Sequence, residues 1–265
     1  MLLNKIYILA SLIGLNIATI GAYKNNVFDE NLVLVFLGIF ASAFFTLLIE
    51  LLVNHINIIW NIIRSVFHKK IRISFAQLIR VEIEDKYLLV LNSRIKNTFQ
   101  PPGGAIQYYD NKILTEYSLS EDEGYRNSPK EDLRKTLIVP RKLCSLYDWF
   151  FSRKDREISP EREFREELLK TNILPSKEFD QIRLSYSKTV TPKIKYSDQF
   201  DKYECFIFEI FDFIPTDSQR SWMTENIKES NNDYILLSKE EISRGGYVAS
   251  KNQSYQLGTQ TKYIL

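Results

Sequence analysis

At 265 residues the chain is long for one domain and suits one domain plus an appendage. Its formal net charge is +2, from 35 basic and 33 acidic residues, so bulk charge makes no case for a nucleic-acid polymer as partner. The two cysteines, Cys144 and Cys205, lack metal-ligand spacing, and the two histidines, His55 and His68, precede the polar region; this argues against a zinc site or histidine catalysis and for free thiols in a reducing compartment.

The apolar residues are concentrated in the first quarter. Ile6 to Tyr23 is uncharged, interrupted only by Ser11, Asn16 and Thr19, and at roughly 18 residues of 1.5 Å each it can just span a bilayer core. A signal peptide is the rival reading, but a second apolar segment, Leu32 to Ile49, follows almost at once, as a hairpin needs. The short loop between them carries Asp29 and Glu30. Arg64, His68, Lys69, Lys70 and Arg72 follow the second segment, so the positive-inside rule puts both ends of the hairpin in the cytoplasm. Small or polar residues recur every four positions: Ala10, Gly14, Ala18 and Ala22, then Gly38, Ser42, Thr46 and Glu50. Such stripes either pack the hairpin together or bring copies of it into contact. Ile56, Ile59, Trp60, Ile63 and Phe67 continue the second helix as an amphipathic extension. The expected division is therefore 1–70, a transmembrane hairpin with this extension, and 71–265, a cytoplasmic domain.

In the polar region, residues 76–83 and 86–92 alternate like strands around a turn at Glu84 and Asp85. Phe99-Gln100-Pro101-Pro102-Gly103-Gly104 follows, a rigid turn whose backbone N–H groups can face an anion. Residues 108–127 are tyrosine-rich and acidic, with a loop from Ser118. Lys130 to Lys135 and Cys144 to Arg153 read as helical or irregular. The segment Arg156 to Ile173 reads as one helix, with Ser159 as its cap, Glu161 and Glu163 in its first turn, and Phe164, Leu168 and Leu169 as a narrow apolar face. Ile182 to Tyr186, Val190 to Tyr196 and Tyr203 to Phe213 read as strands, the last apolar enough to be central. Asp217 to Ile227 is an expected helix, Tyr234 to Leu237 a short strand, and Ser238 to Ile242 a capped turn ending at Gly245 and Gly246. Strands mixed with one principal helix suggest an α+β sheet-and-helix sandwich.

The Gly104 turn and the charged helix together resemble the Nudix signature G-x5-E-x7-R-E-U-x-E-E-x-G-U, where U is aliphatic. Two registers compete. One takes Glu157, Arg165 and Glu166 as E-x7-R-E and ends at Asn172-Ile173. It puts Leu169 and Lys170 where active family members carry paired metal-binding glutamates. The other lays R-E-F-R-E-E on Arg162 to Glu167, restores two adjacent glutamates, and puts Lys154 at the leading glutamate and Leu169 at the glycine. We favour the first for its spacing. Either way the link from Gly104 to Glu157 is roughly 47 residues longer than the signature allows, an insertion at about 108–156.

The whole arrangement is similar to the SMODS-associated Nudix membrane proteins of bacterial antiphage (CBASS) systems. That resemblance implies a Nudix-like α/β/α sandwich that binds a cyclic oligonucleotide made by a partner nucleotidyltransferase. It also implies a hairpin in the cell inner membrane that homo-oligomerises and breaches the bilayer, causing abortive infection. On the first register it implies no catalysis, no cofactor and no metal. The expected ligand-binding set is Arg94, Lys96, Phe99, Gln100, Gly103, Gly104, Arg156, Arg165 and Lys170, with Phe99 or Tyr108 stacking on a base and Lys170 standing in for the metal. Arg165 and Glu166 forming a structural ion pair is an equal alternative. A membrane-anchored hydrolase of nucleoside diphosphate derivatives and a protein-binding sensor are the competing functions.

Overall fold

The structure is a computed structural model that describes the backbone of residues 2–24, 30–122, 129–198, 200–227 and 230–265. The side chains of residues 2–7, 9, 22–24, 30–32 and 51–54 fall outside that description, as do the acidic turn at Asp29 and residues 123–128 of the expected acidic loop. In chain order the elements are α1 (Leu2–Lys24), α2 (Glu30–Ser65), β1 (Ile71–Arg80), β2 (Glu82–Ile83), β3 (Lys86–Leu91), β4 (Thr98–Gln100), β5 (Gly103–Ala105), α3 (Lys112–Glu116), β6 (Leu119–Glu121), β7 (Arg134–Leu137) and α4 (Leu143–Ser152). Then come α5 (Glu161–Phe164), β8 (Leu184–Val190), β9 (Lys195–Ser197), β10 (Lys202–Phe213), α6 (Asp217–Asn226), β11 (Tyr234–Ser238), α7 (Lys239–Ser243), β12 (Tyr247–Val248), β13 (Gln253–Ser254) and β14 (Gln256–Leu257). The chain divides into two compact units, Met1–Lys69 with Val139–Lys154, and Lys70–Ile138 with Asp155–Leu265.

In the first unit, α2 has 36 residues, about 54 Å at 1.5 Å per residue, longer than a bilayer core of about 30 Å. Val33–Glu50 within it is long and apolar enough to cross a membrane, and only 6% of that stretch is buried. Where the sequence suggests two spans, the described residues contain this one stretch that is both long and apolar enough. The first helix forms as expected over 23 residues, and its described apolar run is Ala10–Gly21. A Cβ at Gly14 or Gly38 would meet nothing within 4 Å, so at these glycines the small-residue stripes do not serve to pack the hairpin.

The expected insertion does not stay together. Residues 139–154 belong with the helices, and α4 buries Leu143, Leu146, Tyr147 and Phe150 there. Asn61 Nδ2 donates to Tyr147 Oη at 3.2 Å, and Ser65 Oγ donates to the Pro140 carbonyl at 3.1 Å. Ile58, Asn61 and Ser65, three and four residues apart, form the buried stripe of the α2 extension, while Ile56, Trp60, Ile63 and Phe67 are exposed.

The second unit is the expected mixed α+β fold. One sheet has the order β6-β7-β1-β10-β8, with β5 also on β1 and β9 also on β10; a second has the order β11-β3-β4-β14, with β2 on β3. β1 and β10 are parallel and central, which accounts for the near-continuous apolar content of β10 and for the burial of nine of the ten β1 residues. β1 begins at Ile71, earlier than expected, because its first residues pair with both β7 and β10. The segment expected to be helical or irregular at Lys130–Lys135 instead contributes Arg134 and Lys135 to β7, for the same reason. Glu84 and Asp85 both take positive φ, 47° and 63°, the backbone a two-residue hairpin of right-handed twist requires. Two apolar clusters fill the unit. One joins Phe164, Leu168 and Leu169 to Ile79, Leu88, Phe179 and Phe213, and the other joins Phe99 to Leu89, Phe208 and Ile235.

The predicted 156–173 helix is shorter than expected. Arg156 and Glu157 are extended: Arg156 bridges Tyr108, and the Glu157 N–H donates to the Gln107 carbonyl at 2.8 Å. The helix starts after Pro160, without the side-chain cap expected from Ser159. It passes into one π-type turn, Arg165–Leu169, closed by Lys170 N–H to the Arg165 carbonyl at 2.9 Å. π-turns recur at functional sites.

Candidate functional site

A cavity of about 440 Å³ opens in the second unit, within the roughly 300–1,000 Å³ usual for small-molecule sites. Its floor follows from strand alternation. Arg72, Ser74 and Ala76 of β1 stand in register with Glu204, Phe206 and Phe208 of β10, and all six line the cavity. Phe206 and Phe208 stack at 5.5 Å, and the Lys195 ammonium lies 5.8 Å from the Phe206 ring. Arg72 is paired with Asp122 at 2.6 Å and with Glu204, and lies 4.1 Å over Phe200.

The opposite wall is the Nudix-like segment. Arg162 organises it: the guanidinium donates to the Ala105 carbonyl (2.9 Å) and to Glu157 (2.9 and 3.1 Å), and pairs with Glu163 at 2.7 Å and Glu166 at 3.3 Å. Glu163 packs where Gly104 has no side chain; a Cβ there would overlap its carboxylate. Gly103 holds φ +145° against the Gln77 carbonyl, a second close approach that only glycine permits. Burial, reinforced by Glu166, Glu167 and Glu157, pushes the Glu163 carboxyl up to about 7 against the pull of Arg162. Burial and Glu166 also raise Glu167. Asp132, buried nearby, is raised to about 6 by desolvation. Arg162 is held protonated by Glu157, Glu163 and Glu166 despite its burial.

This geometry selects the second register. Glu163, Glu166 and Glu167 line the cavity beside Gly103 and Gly104, whereas the first register's key residues point elsewhere. Leu169 is core, Lys170 is exposed at 3.7 Å from Glu166, and Arg165 pairs with Glu161 at 2.8 Å on the exposed face. The Glu157-x7-Arg165 spacing misled because residues 157–160 are not helical, and Glu157 reaches Arg162 instead.

Of the residues expected to bind ligand, Arg94, Gln100, Gly103 and Gly104 line the cavity. Lys96 is exposed and outside it. Phe99 is buried, edge-on to Tyr255 at 5.9 Å, and Tyr108 is likewise buried, so neither ring is presented for stacking. Arg156 is fully buried in a bidentate pair with Glu209 (2.8 and 3.2 Å), which Gln77 joins at 3.2 Å. By strand alternation that trio lies on the sheet face opposite Ala76 and Phe208. The sequence reading missed Arg72, Arg134, Arg162, Lys195 and Phe206. Only the contiguous R-E-F-R-E-E run carried a local signal, for Arg162.

Glu163, Glu166 and Glu167 give the carboxylate wall of the cavity donors for a divalent cation. Its donors are chemically suited, but Arg162 sits among them, and among the described residues no group of three or more acidic, His or Cys side chains converges as a metal cage.

No curated protein matches the chain. Among solved structures, the E. coli ORF135 protein, determined in solution, matches at 11% identity over 73% of this chain and 86% of its own, with a TM-score of 0.27, too distant a likeness to bear on the site. The model of the SMODS-associated NUDIX domain family matches residues 70–265, the whole of the β-sheet-rich region with its Gly103-Gly104 turn and R-E-F-R-E-E segment. The chain belongs to the SMODS-associated Nudix family.

Proposed function

We propose that this protein is a membrane effector of a CBASS-type antiphage system, in which the Nudix-like unit binds a cyclic oligonucleotide and the helical unit responds by oligomerising and damaging the inner membrane. The observation that carries the reading is the cavity. It sets Arg94, Arg134 and Lys195 with the half-buried Phe206 ring on one cavity lining, a pairing of cations and a ring face suited to phosphates and a base. The small-residue stripes at Gly14 and Gly38, open to a neighbour, support contact between copies. In this reading α1 completes a two-span hairpin with both ends cytoplasmic, and α4 joins the helices to the Nudix-like chain by short links at residues 138–139 and 154–155.

The full-length protein in detergent, titrated calorimetrically with cyclic di- and trinucleotides, should bind at least one. In liposomes the same compound should release a trapped dye. Absence of binding across the panel refutes the reading. One observation favours a second function: Glu163, Glu166 and Glu167 share a wall of the cavity, as a hydrolase of nucleoside diphosphate derivatives would need. Turnover of such compounds with Mg²⁺, lost in Glu166→Gln, would establish it.

A further inference from the structure

Three side-chain amides touch one another on the cavity wall: Asn92 after β3, Gln100 on β4, and Gln260 beyond β14. Asn92 fixes the series. Its Oδ1 accepts the backbone N–H groups of Arg94 at 2.7 Å and Ile95 at 2.9 Å. A peptide N–H can only donate, so the oxygen must be the atom facing them. Asn92 Nδ2 is thereby turned toward Gln100 and donates to its Oε1 at 2.6 Å. The same Oε1 accepts from Gln260 Nε2, also at 2.6 Å. An amide nitrogen cannot accept, so each amide dictates the orientation of the next. The polarity of all three traces back to two peptide groups in the loop after β3.

The backbone holds the series in place. Gln100 is paired across the sheet with Val90. Gln260 follows Gly258, whose N–H donates to the Phe99 carbonyl at 2.8 Å. Gly258 leaves room for the Gln260 amide, which a Cβ would meet at 3.0 Å. The relay uses up Gln100 Oε1 and Gln260 Nε2. Gln100 Nε2, a donor, and Gln260 Oε1, an acceptor, make no hydrogen bond among the described residues and belong to two touching, half-buried amides that both line the cavity. A planar group with an acceptor next to a donor complements them, and the pairing edge of a nucleobase is such a group.

We propose that Gln100 and Gln260 read the edge of one nucleobase of the ligand, and that Asn92 is the positioning residue that sets which of them donates and which accepts. This rests on the receptor reading above. It adds that base identity is chosen at this wall, by orientation rather than by charge.

The test uses the full-length protein in detergent and three probes, the cyclic dinucleotides of adenine, guanine and uracil, with affinities measured by calorimetry. The wild type should prefer one base. Gln100→Glu keeps an oxygen for Asn92 and Gln260 but replaces the free donor with an acceptor, and should weaken the preferred probe by about tenfold, within the discrimination of a two-bond base contact. Asn92→Asp still accepts from Arg94 and Ile95 but cannot donate to Gln100. It should turn Gln100 Nε2 toward itself, reverse the donor and acceptor presented, and change the order of preference among the probes. An unchanged order and unchanged affinities in Asn92→Asp, or equal wild-type affinities for all three probes, overturn the proposal and leave the receptor reading standing. No wild-type binding to any of the three probes overturns this proposal, and only absence of binding across the wider di- and trinucleotide panel removes the receptor reading as well.

Discussion

Replacing Glu163 with glutamine should stabilise the protein at alkaline pH. Glutamine is close in shape to the protonated acid, so the substitution reports the cost of ionising this buried group. The unfolded chain loses the Glu163 proton near 4.5, and the folded chain near 7. Between those values the folded state binds more protons, so the cost grows as pH rises through the window and is complete above it. A rise from 4.5 to about 7 corresponds to about 3 kcal/mol. Denaturant titration of the full chain in detergent, followed by tyrosine and tryptophan fluorescence, should therefore show Glu163→Gln more stable than wild type by up to about 3 kcal/mol at pH 8. That gain should shrink to near zero below about pH 5. A variant less stable than wild type at pH 8 would refute the reasoning, because the Arg162 pair would then outweigh burial and the neighbouring carboxylates. A group kept at such cost, in a cavity, is what a functional position looks like.

Gly104→Ala should destabilise by about 1–3 kcal/mol and displace the Glu163 carboxylate, seen as a shift of the pH window just described. The two registers make opposite demands on two arginines. Arg162→Ala should cost about 2 kcal/mol or more, since it uncovers Glu157 and Glu163, while Arg165→Ala, losing an exposed pair, should change stability by less than about 0.5 kcal/mol; denaturant midpoints decide. Arg156→Ala should cost about 3–5 kcal/mol, because Glu209 is left charged inside the sheet face, yet it should leave the affinity of any folded protein for ligand nearly unchanged. The reverse, loss of affinity with unchanged stability, would place Arg156 at the ligand.

Local patterns made much of this protein readable in one dimension. The apolar run at 33–50 is legible as a helix long and apolar enough to cross a membrane, because an apolar stretch of that length matches a bilayer core. The largely apolar strand at 202–213 declares a sheet centre, and Phe164, Leu168 and Leu169 declare the buried face of their helix. The Gly103-Gly104 turn was legible because close backbone approach excludes side chains. Register was not. The sequence offers two arginines three residues apart, each followed by a glutamate, and spacing favoured Arg165. Only the extension of residues 156–157 against Gln107 and Tyr108, together with the π-turn, decided that Arg162 faces the glycine turn. The cations of the cavity, Arg72, Arg134 and Lys195, come together through strand pairing across more than a hundred residues, and no local window carries that information. Arg156 looked like a ligand for phosphate and proved to be the buried partner of Glu209, because burial and charge pairing are properties of the packed sheet rather than of the residue.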